Sequence, residues 1–154
     1  MTRDGDQPAT ARMLGLERHP EGGWYRQVWR SPVEVTLPDG RRRATATLIW
    51  FLLPAGETSA WHRVASDELW LAHAGAVRLE LGGAGGSPVG GDVHDLGSDL
   101  DAGEVSEVLV PAGHWQRTLP GGADALVRCL VSPGFEFDDF QLDAPSPGAS
   151  RPPG

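Results

Sequence analysis

A chain of 154 residues, 40% hydrophobic and 22% charged, has the size and make-up of one globular domain that buries its own core. The formal net charge of −8 is uneven: residues 1–45 carry +2 and residues 46–154 carry −10, so the main body lacks the basic face that a nucleic acid needs. All thirteen basic residues are arginine, which excludes lysine Schiff-base chemistry and a Walker-type phosphate loop, and the single cysteine excludes an internal disulfide.

Residues 1–8 read as a disordered tail with no apolar signal segment. No stretch reaches the ~20 apolar residues that span a bilayer, so no membrane partner is expected. With one cysteine, the setting expected is the cytoplasm. Ala9 to Leu16 reads as one short helix capped by Thr10. His19-Pro20-Glu21-Gly22-Gly23 breaks it and leads into a strand from Trp24 to Arg30. Pro38-Asp39-Gly40 marks a hairpin whose solvated tip would carry Arg41, Arg42 and Arg43. Ala44 to Leu53, rich in Thr, Ile, Trp and Phe, reads as a strand ended by Pro54 and Gly56. Glu68 to Ala74 and Ala76 to Leu81 follow as strands, and the glycine-rich tract 82–91 as a loose loop. Further short strands are expected around Val93–Leu96, Val105–Val110, His114–Thr118 and Leu126–Val131, with Cys129 as a buried structural thiol. Phe135, Phe137 and Phe140 are expected to close the structure, with solvated acids between them. Residues 144–154 read as a disordered Pro/Gly-rich tail. Eight to ten short strands and hardly any helix, with 21 glycines and 13 prolines for the turns, make an all-β barrel or jelly roll.

Two segments carry chemistry. The run Gly56 to Gly75 has the spacing G-x5-H-x-V-x3-E-x6-G, with His62, Val64 and Glu68 at its fixed positions. The run Gly103 to Gln116 ends in Pro111-Ala112-Gly113-His114-Trp115-Gln116. These resemble the two cupin motifs. Together with His19-Pro20-Glu21-Gly22-Gly23-Trp24-Tyr25-Arg26 and Pro133-Gly134-Phe135-Glu136-Phe137-Asp138-Asp139-Phe140, they resemble the Cupin_5 branch of the cupin superfamily, a domain of unknown function. The resemblance implies a double-stranded β-helix with a short N-terminal helix, a cupin domain over residues 9–143, a polar pocket at the barrel mouth and a homodimer. It implies no established reaction.

In metal-bearing cupins three histidines and one glutamate hold iron, manganese, zinc or nickel. Carried over by position, the chain keeps His62 and Glu68 but has Val64 and Gln116 at the other two places. Valine cannot bind a metal and a neutral amide is a poor ligand for transition metals, so no cofactor is expected. Any metal would have to use His62, Glu68 and Gln116.

The same positions suit acid–base chemistry. His62 titrates near neutral pH, and Asp67 and Glu68 are the candidates for a carboxylate beside it. Tyr25 can donate a proton. The catalytic candidates are therefore His62, Glu68 and Tyr25. Arg26 and Arg63 suit an anionic ligand, while Trp70, Gln116, Asp67 and Glu21 complete the candidate binding set. His19 and His94 read as loop residues, and His73 should point away from Glu68 because side chains alternate along a strand.

Three functional readings follow, all with a small-molecule partner. One is a metal-free isomerase or epimerase acting on a small polar or anionic metabolite, with His62 as acid or base. The second is a binding or sensing protein that uses the same pocket without turnover. The third is a metal-dependent cupin enzyme. A purely structural role would show as a pocket plugged by side chains.

Overall fold

The computed structural model describes residues 7–143, so the two tails read from the sequence lie almost wholly outside the described residues. Helix α1 (Ala9–Leu14) starts after Pro8, and Thr10 lies within its first turn instead of capping it. It ends two residues earlier than expected because Gly15 turns left-handed, at φ 67°. The N–H of Leu16 then returns to the carbonyl of Ala11 at 2.8 Å. The strands are β1 (Glu17–Arg18), β2 (Trp24–Arg30), β3 (Glu34–Thr36), β4 (Arg42–Ala44), β5 (Thr47–Leu53), β6 (His62–Val64) and β7 (Asp67–Ala74). They continue as β8 (Val77–Leu81), β9 (Asp92–Leu96), β10 (Glu107–Val110), β11 (Gln116–Leu119), β12 (Ala125–Ser132) and β13 (Phe140–Leu142).

Two antiparallel sheets, ordered β1-β2-β5-β12-β7-β10 and β13-β6-β11-β8-β9, form a double-stranded β-helix, with β3-β4 as a separate hairpin. The strands outnumber the eight to ten expected because β1, β3, β4, β6 and β13 are only two or three residues long, too short to imprint a period. The predicted strand Ala44–Leu53 is two strands. Ala44 pairs with Glu34 in the hairpin, whereas Thr47 pairs with Arg30 and Val131 in the large sheet.

Alternation along β12 shows how the barrel is filled. Ala125, Val127, Cys129 and Val131 are buried, and the residues between them face out. Leu53, Val77, Leu79 and Val127 pack one end of the space between the sheets. Toward Cys129 and Val131 that filling gives way to a cavity. On the outer face of β2 and β5, α1 packs Ala11 against Trp24 and Leu52.

The arginine run is not the solvated tip it reads as. Arg43 Nε and NH2 donate to the two oxygens of Asp139 at 2.7 and 2.8 Å, and Arg41 NH1 adds a contact at 2.9 Å. Asp139 is correspondingly not solvated, its side chain being 3% exposed. The hydrogen bond from Arg43, aided by Arg41, holds its carboxyl below the usual range. Only Arg42 points outward, to Glu34 at 3.1 Å. This clamp fixes the segment carrying Phe135, Phe137 and Phe140 to the β3-β4 hairpin. No helix among the described residues is long and apolar enough to cross a membrane.

The tightest backbone constraint lies in the loop before β2. Gly23 has φ 77°, and a Cβ there would stand 2.7 Å from Phe51 Cζ and 2.9 Å from the Leu52 carbonyl oxygen. Gly23→Ala therefore combines left-handed strain with a steric clash, and is expected to lower stability by about 1–3 kcal/mol in urea unfolding. An unchanged midpoint would mean that the loop relaxes freely.

Candidate functional site

The cavity holds about 300 Å³ and is lined on one side by Glu17, His19, Glu21, Tyr25 and Gln27, from β1, β2 and the loop between them. Across it stand His62 and Val64 of β6, Glu68 of β7, and Cys129 and Val131 of β12. Phe135, Glu136, Phe137 and Phe140 form a third wall. It is open space, not a pocket plugged by side chains.

A tight turn sets Glu21 in place. The N–H of His19 reaches the Gly23 carbonyl and that of Gly22 reaches the His19 carbonyl, both at 3.0 Å, while the Glu21 carbonyl accepts from Ala60 at 2.7 Å. The glycines supply positive φ angles, 108° at Gly22 and 77° at Gly23. The Glu21 side chain then turns inward, and Oε2 lies 2.6 Å from His62 Nε2, with both side chains more than nine-tenths buried.

The other ring nitrogen fixes the proton count. His62 Nδ1 is 2.8 Å from the Ala60 carbonyl, which only accepts, so Nδ1 donates. Burial works against charge on this ring, but Glu21, through charge and hydrogen bond, and Glu68 outweigh it and raise the pKa above its ordinary value. The pairing with the Glu21 carboxyl thus favours the charged form of His62. The sequence pointed to Asp67 or Glu68 as its partner. Asp67 instead accepts from the Ala112 N–H at 2.8 Å, away from the cavity.

Glu68 has the opposite character. Burial pushes its carboxyl up, with Glu21 adding to the effect while His62 and Gln116 oppose it. Burial thus favours the protonated form of this carboxyl. Cys129, buried as expected, is a hydrogen-bond neighbour of Glu68, and burial pushes its thiol well above the ordinary range. It therefore stays protonated and inert. His19, read as a plain loop residue, lines the cavity. Burial and His62 lower its pKa against the pull of Glu21, so it is neutral. Its Nδ1 accepts the Glu21 N–H at 3.1 Å.

Tyr25 lines the cavity from β2; its hydroxyl is pushed up first by burial and then by neighbouring Glu17, so it stays a donor. Four other candidates lie outside the lining. Arg26 NH1 donates to the Leu14 carbonyl at 3.1 Å, tying β2 to α1, because alternation along β2 turns it outward. Arg63 is turned outward on β6, bound to Gln141 at 2.9 Å and lying over the Trp115 ring at 4.4 Å. Trp70 is core, edge-on to Phe51 at 5.7 Å. Gln116 is buried between Trp70 and Glu68. Gln27, Glu17 and the phenylalanine wall were missed as site residues; only the inward parity of Tyr25 and Gln27 along β2 could have signalled the first. As expected, His73 faces out, edge-on to Trp50 at 4.8 Å. His94, read as a loop residue, lies in β9.

The family model described as Cupin superfamily (DUF985), Cupin_5, matches residues 9–143. The chain belongs to the Cupin_5 family. A hypothetical protein from Leishmania major is 32% identical with a TM-score of 0.75, over 88% of this chain and 86% of that one. A protein from Shewanella oneidensis is 37% identical with a TM-score of 0.76, over 94% and 86%. Oxalate decarboxylase from Bacillus subtilis, 18% identical with a TM-score of 0.57 over 82% of this chain and 29% of that one, shares the fold alone. No curated protein matches.

Within this Cupin_5 barrel the four positions do not fit the metal-holding set of other cupins. The Trp70 indole N–H can only donate, and it lies 2.8 Å from Gln116 Oε1. That engages the one ligating atom of the amide, and its NH2 group faces Glu68 Oε1 at 2.8 Å instead. Val64 offers no donor atom, and both nitrogens of His62 are engaged. Among the described residues no three His, Cys, Asp or Glu side chains converge as a metal-holding group.

Two measurements test this site. In an NMR titration the His62 ring should stay charged above pH 6.5, and Glu21→Gln should move its titration to lower pH. The stability from this pair is fully present below that unfolded value and lost as pH rises through the raised folded one, so the variant should flatten that decline. Elemental analysis of untagged protein, purified without chelators, should find metal far below one per chain in wild type and His62→Ala alike. A near-stoichiometric metal lost in His62→Ala would make His62, Glu68 and Gln116 ligands after all.

Proposed function

We propose that this protein is a metal-free acid–base enzyme, an isomerase or epimerase, acting on a small polar metabolite held in the barrel cavity. The observation that carries the reading is the buried contact of 2.6 Å between His62 Nε2 and Glu21 Oε2, in one cavity with Glu68, whose carboxyl burial pushes toward its protonated form. A carboxyl held by an imidazole ring, beside a second one that burial pushes toward its protonated form, suits general acid–base exchange.

In this reading the imidazolium of His62 holds Glu21 ionised and oriented, and Glu21 Oε1 removes a proton from carbon. Glu68, protonated, supplies one to the substrate, and the Tyr25 hydroxyl hydrogen-bonds an oxygen of it. The base thus passes from His62 alone to the His62–Glu21 pair, because both ring nitrogens are engaged. With Arg26 and Arg63 turned away, the cavity lining holds no guanidinium for an anion, which favours the uncharged polar side of the polar-or-anionic range.

The engagement of both His62 nitrogens also favours a second reading, a binding or sensing protein in which the pair is structural and nothing turns over. A homodimer and a cytoplasmic setting belong to the proposal, supported by the family resemblance and the unpaired thiol of Cys129.

Incubating the protein with a polar metabolite extract in D2O separates the two readings. Proton exchange at carbon should leave deuterium in at least one metabolite with wild type, and in none with Glu68→Gln or His62→Ala. If wild type itself labels nothing beyond the no-protein control, the catalytic reading fails and the binding reading stands.

A further inference from the structure

The two sheets of this barrel have unlike outer faces. An antiparallel sheet with water on one side carries polar side chains there. The five-stranded sheet does so: Arg63 stands across from Gln141, Arg117 from Glu80 and Arg78 from Asp95. The six-stranded sheet does not. Its register brings Trp29, Leu48, Leu130, Leu69 and Leu109 into one outward row across β2, β5, β12, β7 and β10. The alternate residues Ile49, Cys129, Trp70 and Val108 point the other way, into the core. Neighbouring strands lie about 4.8 Å apart, so the row runs unbroken for roughly 19 Å. Its ends are open, with Trp29 46% and Leu109 53% exposed. A continuous apolar patch of this kind marks a contact surface.

The next row selects the occupant. Trp50, Arg128, Leu71 and Glu107 lie side by side in register. Arg128 lies over the Trp50 ring at 4.3 Å, and its Nε is buried with no hydrogen-bond partner among the described residues. A cation set in an apolar field gains from a counter-ion, and an unpaired buried donor is costly. Glu107, the carboxylate of this row, is exposed and accepts the hydroxyl of Ser106. It stands beyond Leu71, whereas the Arg128 head lies toward Trp50, away from it.

We propose that this outer face is where two copies of the chain meet, about a two-fold axis running along β7. Such an axis lays β12 of each copy over β10 of the other. Leu69 then meets its own counterpart, Leu130 meets Leu109, and Arg128 meets Glu107. One contact thus covers the leucines and gives both charges a partner. An axis along β12 would instead bring two Arg128 guanidiniums together. The choice rests on the homodimer proposed above and adds the face that forms it. The cavity lies on the opposite face of the same strands, where Ile49, Cys129 and Val131 line it.

Sedimentation velocity of the full chain over a concentration series reads the association directly. Wild type should sediment at twice the chain mass. Leu109→Glu and Glu107→Arg, both at exposed positions, should each weaken association about tenfold or more, with the circular dichroism of wild type. Combining Glu107→Arg with Arg128→Glu should restore it to within about threefold of wild type, a recovery that a folding defect cannot produce. A wild-type monomer at about 0.1 mM would overturn the dimer and the face together. A dimer indifferent to Leu109→Glu and Glu107→Arg would overturn the face and leave the dimer. A double variant no better than Glu107→Arg alone would overturn the pairing about β7. Failure of the catalytic reading shows only in deuterium exchange, so the two are told apart.

Discussion

An imidazole and two carboxyls share the interior of a small β-barrel, and that interior can hold them only if their charges are arranged. An isolated ion in an apolar space is costly, so each group must be paired, protonated or hydrogen-bonded. His62 and Glu21 pair at 2.6 Å, while Glu68 is pushed by burial toward its protonated form and leans on Gln116 and Cys129. His19 remains neutral and accepts a backbone N–H.

Two constraints from outside the barrel hold it in place. The turn from His19 to Gly23 aims Glu21 inward, and its glycines adopt backbone angles that a side chain would strain. The clamp of Arg41 and Arg43 on Asp139 holds the phenylalanine segment over the opening. Without the first, His62 would be a buried ring short of a partner. Without the second, the aromatic wall would have little to fix it, since Phe137 is half exposed.

The fold is shared with proteins that act quite differently, and fold alone does not settle a reaction. What distinguishes this chain is local. Gln116 turns its oxygen to Trp70 and its NH2 to Glu68, so a position that other cupins give to a metal ligand acts here as a hydrogen-bond donor to a carboxyl. Val64 adds an apolar surface beside it. The polarity that remains in the cavity is that of protons and carboxyls.

By itself the sequence determined the barrel, because the alternation of apolar residues and the glycine and proline turns admit few other folds, and the four motif blocks select one among them. The motif resemblance placed His62 and Glu68 in the pocket, and the two-residue period of a strand set His73 on the face opposite Glu68. Arg26, read as a ligand contact, went wrong by the same rule: it is out of step with Tyr25 and Gln27. Only the tertiary structure decided the partner of His62. Glu21 lies 41 positions before it, in a loop whose side-chain direction follows no period. The structure likewise brought Asp139 to Arg43, 96 residues apart, and turned apparently solvated charges into a buried clamp. Strand pattern is a local property of the chain and can be read locally; the pairing of charges across loops depends on where chain closure brings them, and only the folded barrel sets that.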